Sequence, residues 1–326
     1  MEWMMKIRLK LNESNMPILI LILLIVGIFF GFTANHFFTR DNILNILRQV
    51  SVTTIVALAA TLVMITRALD ISVGGTLAFA GVVYATLATK GIPLPVCFLI
   101  TITASALVGL INAGLVVGLK VNPVIATLGT MYSTRGLAFL YSGGTSVSNG
   151  LPVNFNVLGR GYIGFMPIPV LFMLITAVLF WFLLNKTLLG KYTYAIGGNP
   201  VTAVLSGIPT AKIMGVLFVL VGAAAGASGA LMASRLGSGQ PNVGNGFEFD
   251  VILAILLGGT SLAGGEGTIE GTLVASIIVG VLSNGLNMMG VHTFYQYIIK
   301  GLVLVLAVVI DQQMKRSRSA VKITTK

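Results

Sequence analysis

Charge is scarce in this chain. Only 9% of its 326 residues are charged, against roughly 25% in a soluble domain. So few charges cannot clothe a water-facing exterior of this size, which excludes an ordinary soluble protein. Acid is scarcer still, with nine Asp and Glu in all. By the spans assigned below, none of the nine sits at the middle of a crossing, which counts against a carrier driven by intramembrane proton or cation sites. The single cysteine, Cys97, excludes an intramolecular disulfide and reads as a small packed hydrophobe. The two histidines, His36 and His292, lie near the ends of apolar runs without a nucleophile or metal partner at a recognisable spacing, so nothing points to an intramembrane enzyme. No P-loop pattern occurs, so any ATP must be hydrolysed on another chain, and no cofactor site is legible.

Apolar residues are abundant, at 56% of the chain, with a mean hydropathy of +0.98. The expected fold class is all-α: a single polytopic transmembrane helical bundle over 1–326. A bilayer core of about 30 Å asks for roughly 20 apolar residues per helix. Ten runs meet or approach that length: 17–34, 50–67, 71–89, 95–119, 122–141, 165–184, 211–234, 250–263, 268–289 and 294–312. The run 250–263 is short and 122–141 contains Arg135, so either is a candidate broken or re-entrant helix, tolerated only where protein or a water-filled cavity surrounds it. The first run follows Lys6, Arg8 and Lys10 but lacks a small-x-small cleavage site, and reads as an uncleaved span.

The net charge of +11 falls between the runs and at the termini rather than on one basic face, which points to membrane topology and away from nucleic acid. With ten spans and an inner N-terminus, thirteen Lys and Arg face inward and five outward, with Arg135 and Lys300 inside spans. Both termini are therefore expected in the cytoplasm, as a tail over 1–16 and a basic tail over 313–326. Two connections are long: 142–164, polar and outside, and 185–210, inside.

Gly27-x-x-x-Gly31 and Gly222-x-x-x-Gly226 put small residues one turn apart, as helix packing within one subunit requires. Arg67 and Asp70 stand at i and i+3, which predicts a local ion pair. Lys300, one to two turns inside the last span, is expected to snorkel outward, and Arg135 to reach an interface or a wet interior. Asn284 and Asn287 share a helix face, and Asn112 lies within the fourth span. Such amides suit either a helix–helix contact or a path for a neutral polyol, and the three are the candidate path-lining residues. In the inner loop, Asn199 is placed to cap a short helix over 200–206 with Pro200 at its first position, presenting Val201, Val204 and Leu205 outward.

Three segments carry more than local chemistry. They are Leu69-Asp70-Ile71-Ser72-Val73-Gly74-Gly75; Leu189-Gly190-Lys191-Tyr192-Thr193-Tyr194-Ala195-Ile196-Gly197-Gly198-Asn199 with Leu205-Ser206-Gly207-Ile208; and Ala233-Ser234-Arg235-Leu236-Gly237-Ser238-Gly239-Gln240-Pro241, leading to Phe249-Asp250, Leu257-Gly258-Gly259-Thr260-Ser261-Leu262 and Gly264-Gly265. In this order and spacing, over about Asp41 to Asp311, the chain resembles the permease subunits of bacterial ribose-type monosaccharide ABC importers. The resemblance implies a multi-pass subunit of the bacterial inner membrane that moves a pentose or hexose by alternating access and is not itself an enzyme. It implies three partners: a cytoplasmic ATP-binding subunit, a periplasmic sugar-binding protein docking on 142–164 and 235–249, and a second permease subunit. It also makes the loop 187–210 the segment that couples to the ATPase, through Gly190, Tyr194, Gly197, Gly198, Asn199, Pro200, Val201, Val204 and Leu205. Glu266 and Glu270, near the inner ends of spans, depart from the family's usual residues and bear on the ATPase contact. The rival reading is an ion-coupled secondary sugar transporter.

Overall fold

The computed structural model describes residues 16–324. The expected N-terminal tail, apart from Met16, lies outside the described residues. Each expected apolar run is occupied by a helix, and the helices follow the sequence in order. They are α1 (Met16–Thr33), α2 (Arg40–Ile65), α3 (Val73–Thr89), α4 (Leu94–Ala113) and α5 (Pro123–Ser142), then a short α6 (Val157–Arg160) and α7 (Ile168–Lys186). They continue as α8 (Leu188–Gly198), α9 (Pro200–Leu205), α10 (Thr210–Leu236), α11 (Phe247–Leu257), α12 (Ile269–Met288) and α13 (Thr293–Thr324). The only named strands among the described residues are β1 (Tyr162–Ile163) and β2 (Met166–Pro167), an antiparallel pair in the connection before α7. Among the described residues, six helices are long and apolar enough to cross a membrane: α1, α2, α4 with its extension to Gly118, α7, α10 and α12.

The chain at the centre is α2, buried almost without interruption from Val50 to Ile65. It packs against α7, α10, α11 and α12, while α10 also lies along α3 and α4. Close approach along α10 depends on its small residues. A Cβ on Gly222 would overlap the Ser105 carbonyl of α4, and one on Gly229 would overlap the Leu77 carbonyl of α3. The Gly222–Gly226 stripe is therefore packing within the subunit, as expected. Gly27, by contrast, has nothing within 4 Å of where a Cβ would stand. Much of α1 presents Ile and Leu outward, including Leu21 and Ile25, as lipid contact requires.

Three features bear on the expected spans. The run around Arg135 is one unbroken helix, α5, so the broken element is the other candidate: α11 has only 11 residues and follows a ten-residue turn segment. The fourth span ends in a π-helical turn, Gly114–Gly118, two residues past Asn112. The last helix runs on to Thr324, past the expected limit at 312.

Candidate functional site

Three stretches far apart in sequence, the end of α2 at Ile65–Arg67, the Gly197-Gly198 end of α8 and the turn at Gly264–Gly267, meet at one end of the bundle. At the end of α2 the chain leaves the helix with Arg67 in the left-handed region (φ 68°), which an L-residue adopts at some cost. This turns the Arg67 side chain toward α8. Its Nε donates to the Gly197 carbonyl at 2.6 Å and its Nη2 to the Gly198 carbonyl at 2.7 Å. Those carbonyls close α8, where no intrahelical donor is available and the helix dipole is negative. A guanidinium answers both needs with a planar pair of donors.

The expected Arg67–Asp70 ion pair is therefore not formed. It presumed helical spacing, and the helix has ended at Ile65. Asp70 is buried elsewhere, accepting from Ser72 N at 2.9 Å and Ser72 Oγ at 2.6 Å.

The third segment completes the junction. Gly265 N donates to the Ile65 carbonyl at 2.8 Å, and the Tyr194 hydroxyl donates to the Gly267 carbonyl at 2.7 Å. Burial, and secondarily the Glu270 charge, push the Tyr194 phenol above its ordinary range, so it keeps its proton. A Cβ on Gly197 would overlap the Ile65 carbonyl, and one on Gly264 would stand 2.8 Å from the same oxygen. The end of α2, the end of α8 and the 258–267 turn are thus held backbone to backbone. Glu270 accepts from Trp181 Nε1 at 2.7 Å, tying α12 to α7.

From this junction the short helix α9 projects. Asn199 Oδ1 accepts from Val201 N and Thr202 N, each at 3.0 Å, and Pro200 takes the first helical position, as anticipated. Val201, Val204 and Leu205 are 69%, 58% and 82% exposed, while Ala203 faces inward. Gly190 is buried where α7 turns into α8, with a Cβ excluded by the Leu184 carbonyl. Of the coupling candidates, Gly190, Tyr194 and Gly197 anchor the segment, and Val201, Val204 and Leu205 form its free apolar face.

The three asparagines do not converge on one place. Asn112 is fully buried; its Nδ2 donates to Ser72 Oγ at 2.9 Å and its Oδ1 accepts from Thr130 Oγ1 at 2.6 Å. That network joins the start of α3 to α4 and α5. Asn284 exchanges two amide hydrogen bonds with Asn42, each 3.0 Å, tying α12 to α2. Asn287 Oδ1 accepts from Gln296 Nε2 at 2.8 Å. The two intramembrane cations also have partners that the sequence did not reveal. Lys300 pairs with Asp250 at 2.8 Å instead of reaching outward, the only ion pair among the described residues. Arg135 donates to the carbonyls of Pro241, Val243 and Gly244.

Comparison with known proteins gives the family. Residues 42–308 match the family described as branched-chain amino acid transport system / permease component. The chain belongs to this permease family. Within it, the chain is 40% identical to the ribose import permease protein RbsC of Bacillus subtilis (strain 168), over 83% of this chain and 85% of that one. It is 36% identical to the L-arabinose ABC transporter permease protein AraH of Azospirillum brasilense, over 96% of this chain and 91% of that one. It is 35% identical to the D-allose transport system permease protein AlsC of Escherichia coli (strain K12), over 90% of each. No solved structure matches the chain. Membership and the apolar helices make this permease a multi-pass inner-membrane protein. All three segments that carried the resemblance lie inside the matched region.

Proposed function

We propose that this permease is the membrane-spanning subunit of an ATP-driven importer for a monosaccharide, a pentose or hexose, with both termini and the 185–210 loop in the cytoplasm. The cargo class rests on the ribose, arabinose and allose permeases it resembles at 35–40% identity. The observation that carries the mechanism is the capped helix α9, which exposes Val201, Val204 and Leu205 while its base is locked to α2 through Arg67. An apolar face on a polar, membrane-flanking loop fits a cleft on a partner. We assign that cleft to a separate ATP-binding subunit; α8 and the Arg67 junction carry its motion to α2, the core of the bundle. A sugar-binding protein on the opposite face supplies cargo over 142–164 and the outer, N-terminal part of 235–249, and a second permease subunit closes the path. Alternating access then follows from rocking of the two permease subunits about that path.

The test is ATP hydrolysis and sugar uptake in proteoliposomes carrying the permease, its ATPase and loaded binding protein. Leu205→Asp and Val201→Asp alter exposed side chains, so the permease should retain its fold, yet ATPase capture and stimulated hydrolysis should fall at least tenfold (~1.4 kcal/mol or more of lost contact). Uptake driven by an ion gradient without ATP or partners would instead establish the secondary carrier.

A further inference from the structure

The segment after α10 does not stay at the membrane surface. Gly239 is pinned by a two-way backbone bridge to Val147 and lies against Ala85 and Gly81 of α3, near that helix's far end. Five residues later Gly244, in the left-handed region (φ 73°), lies against Gly74 at the start of α3. Gly239 faces Gly81–Ala85 and Gly244 faces Gly74–Leu77, so the segment runs inward along α3 by four to eleven residues, about 6–16 Å at 1.5 Å per residue, turning at Gln240, whose carbonyl accepts from Val243 N at 3.3 Å. Gly74 in turn lies fifteen residues, about 22 Å, from the end of α3 at Thr89, and half a bilayer core is about 15 Å. The turn 241–246 therefore reaches the middle of the membrane, and α11 begins there.

Irregular backbone at that depth is tolerated only when protein or a water-filled cavity surrounds it. On one side protein does: Arg135 of α5 clasps the carbonyls of Pro241, Val243 and Gly244, and Gly74 abuts Gly244. On the other side the turn presents Asn242 and Asn245, both exposed and without a hydrogen bond among the described residues. Beneath it Glu248, only 7% exposed, holds an Oε2 without a donor. Unpaired amides in hydrocarbon are costly, so water, a polar solute or polar groups of a second subunit must meet this face.

Resting on the monosaccharide reading above, we propose that Asn242 and Asn245 form the mid-membrane contact for the sugar. Two amides offer both donors and acceptors to hydroxyl groups without the net charge that would favour an ion. Arg135 is a positioning residue that holds the turn's backbone so that both amides face the path.

The test uses the assembled importer and the fact that the only native cysteine, Cys97, is fully buried. Asn242→Cys and Asn245→Cys should react with a membrane-impermeant cationic methanethiosulfonate at least tenfold faster than Leu99→Cys, on the exposed apolar side of α4, and labelling should block uptake. In parallel, Asn242→Ala and Asn245→Ala should each lower uptake of the relevant sugar (D-ribose, L-arabinose and D-allose are the probes) about tenfold, the loss expected for one hydrogen bond, with stimulated ATP hydrolysis kept within twofold. Labelling no faster than at Leu99→Cys, or disulfide formation between Asn242→Cys copies in place of labelling, would overturn the proposal, the latter by making the turn a subunit interface. Unchanged uptake in both alanine variants would overturn it as well. If the unaltered importer takes up none of the three sugars, the monosaccharide reading fails, and the labelling rates still decide whether the turn lines an aqueous path.

Discussion

Arg67 reaches from the end of α2 to the Gly197 carbonyl at 2.6 Å, joining the central helix of the bundle to the base of the exposed helix α9. The bond crosses 130 residues of sequence. Because the donor is a guanidinium and the acceptors are terminal carbonyls of a helix, the contact is both charge-assisted and directional. Arg67→Ala should therefore uncouple the permease: uptake driven by the binding protein falls at least tenfold, consistent with losing about 1.5–3 kcal/mol of charged hydrogen bonding. Arg67→Lys should recover little, since an ammonium cannot supply the planar fork. Uptake and ATP hydrolysis measured together check this, and uptake that tracks wild type in Arg67→Ala would show the junction to be a passive brace.

Adjacent glycines in the same segment should behave oppositely. A Cβ at Gly197 overlaps the Ile65 carbonyl, backbone that has nowhere to go, whereas Gly198 has nothing within 4 Å. Gly197→Ala should destabilise the detergent-purified permease by about 1–3 kcal/mol, the range for overpacking, and Gly198→Ala should leave its melting temperature within about a degree. Thermal melts of the two purified variants distinguish them directly.

The order of helices was legible because lipid demands long apolar runs, and each expected run is a helix. The cap of α9 was legible too, since Asn199 and Pro200 act on their immediate neighbours. What escaped is what the chain does across distance. The Arg67–Asp70 pairing assumed that helical spacing continues past Ile65, where a left-handed residue ends it. The partners of Lys300 and Asn284 lie 50 and 242 residues away, and no local pattern announces them. The turn 241–246 reads in sequence as a surface loop because its polarity is that of one; its depth is set by the contacts of Gly239 and Gly244 with α3. The buried carboxylates Asp70 and Glu248 likewise show that scarcity of acid along the sequence does not exclude acid inside the bundle.

The Lys300–Asp250 pair is partly buried, with side chains 17% and 23% exposed. Removing one member leaves the other charge desolvated, and residual solvent access tempers the cost. Lys300→Met should destabilise the permease by about 2–3 kcal/mol, below the 3–5 kcal/mol of a fully buried pair. Adding Asp250→Asn should restore most of that loss, because the uncompensated carboxylate is gone. Denaturation of the two single variants and the double variant gives the coupling; strict additivity would mean that each group is stabilised by something other than its partner.

Asn199 separates the stability of α9 from its contact with a partner. Its side chain accepts from two backbone donors and makes no other side-chain hydrogen bond among the described residues. Asn199→Ala should cost about 1 kcal/mol of local helix stability without disturbing the anchor, since α8 keeps Arg67 and Tyr194. Amide exchange at Val201 and Thr202 should then quicken about fivefold while that at Thr193 and Ile196 stays fixed. If α9 docks on an ATPase, the partner's binding should slow the same amides in the unaltered permease and weaken about fivefold in Asn199→Ala, because binding must then also order the helix. Faster exchange with undiminished affinity would place the docking surface elsewhere on the 185–210 loop.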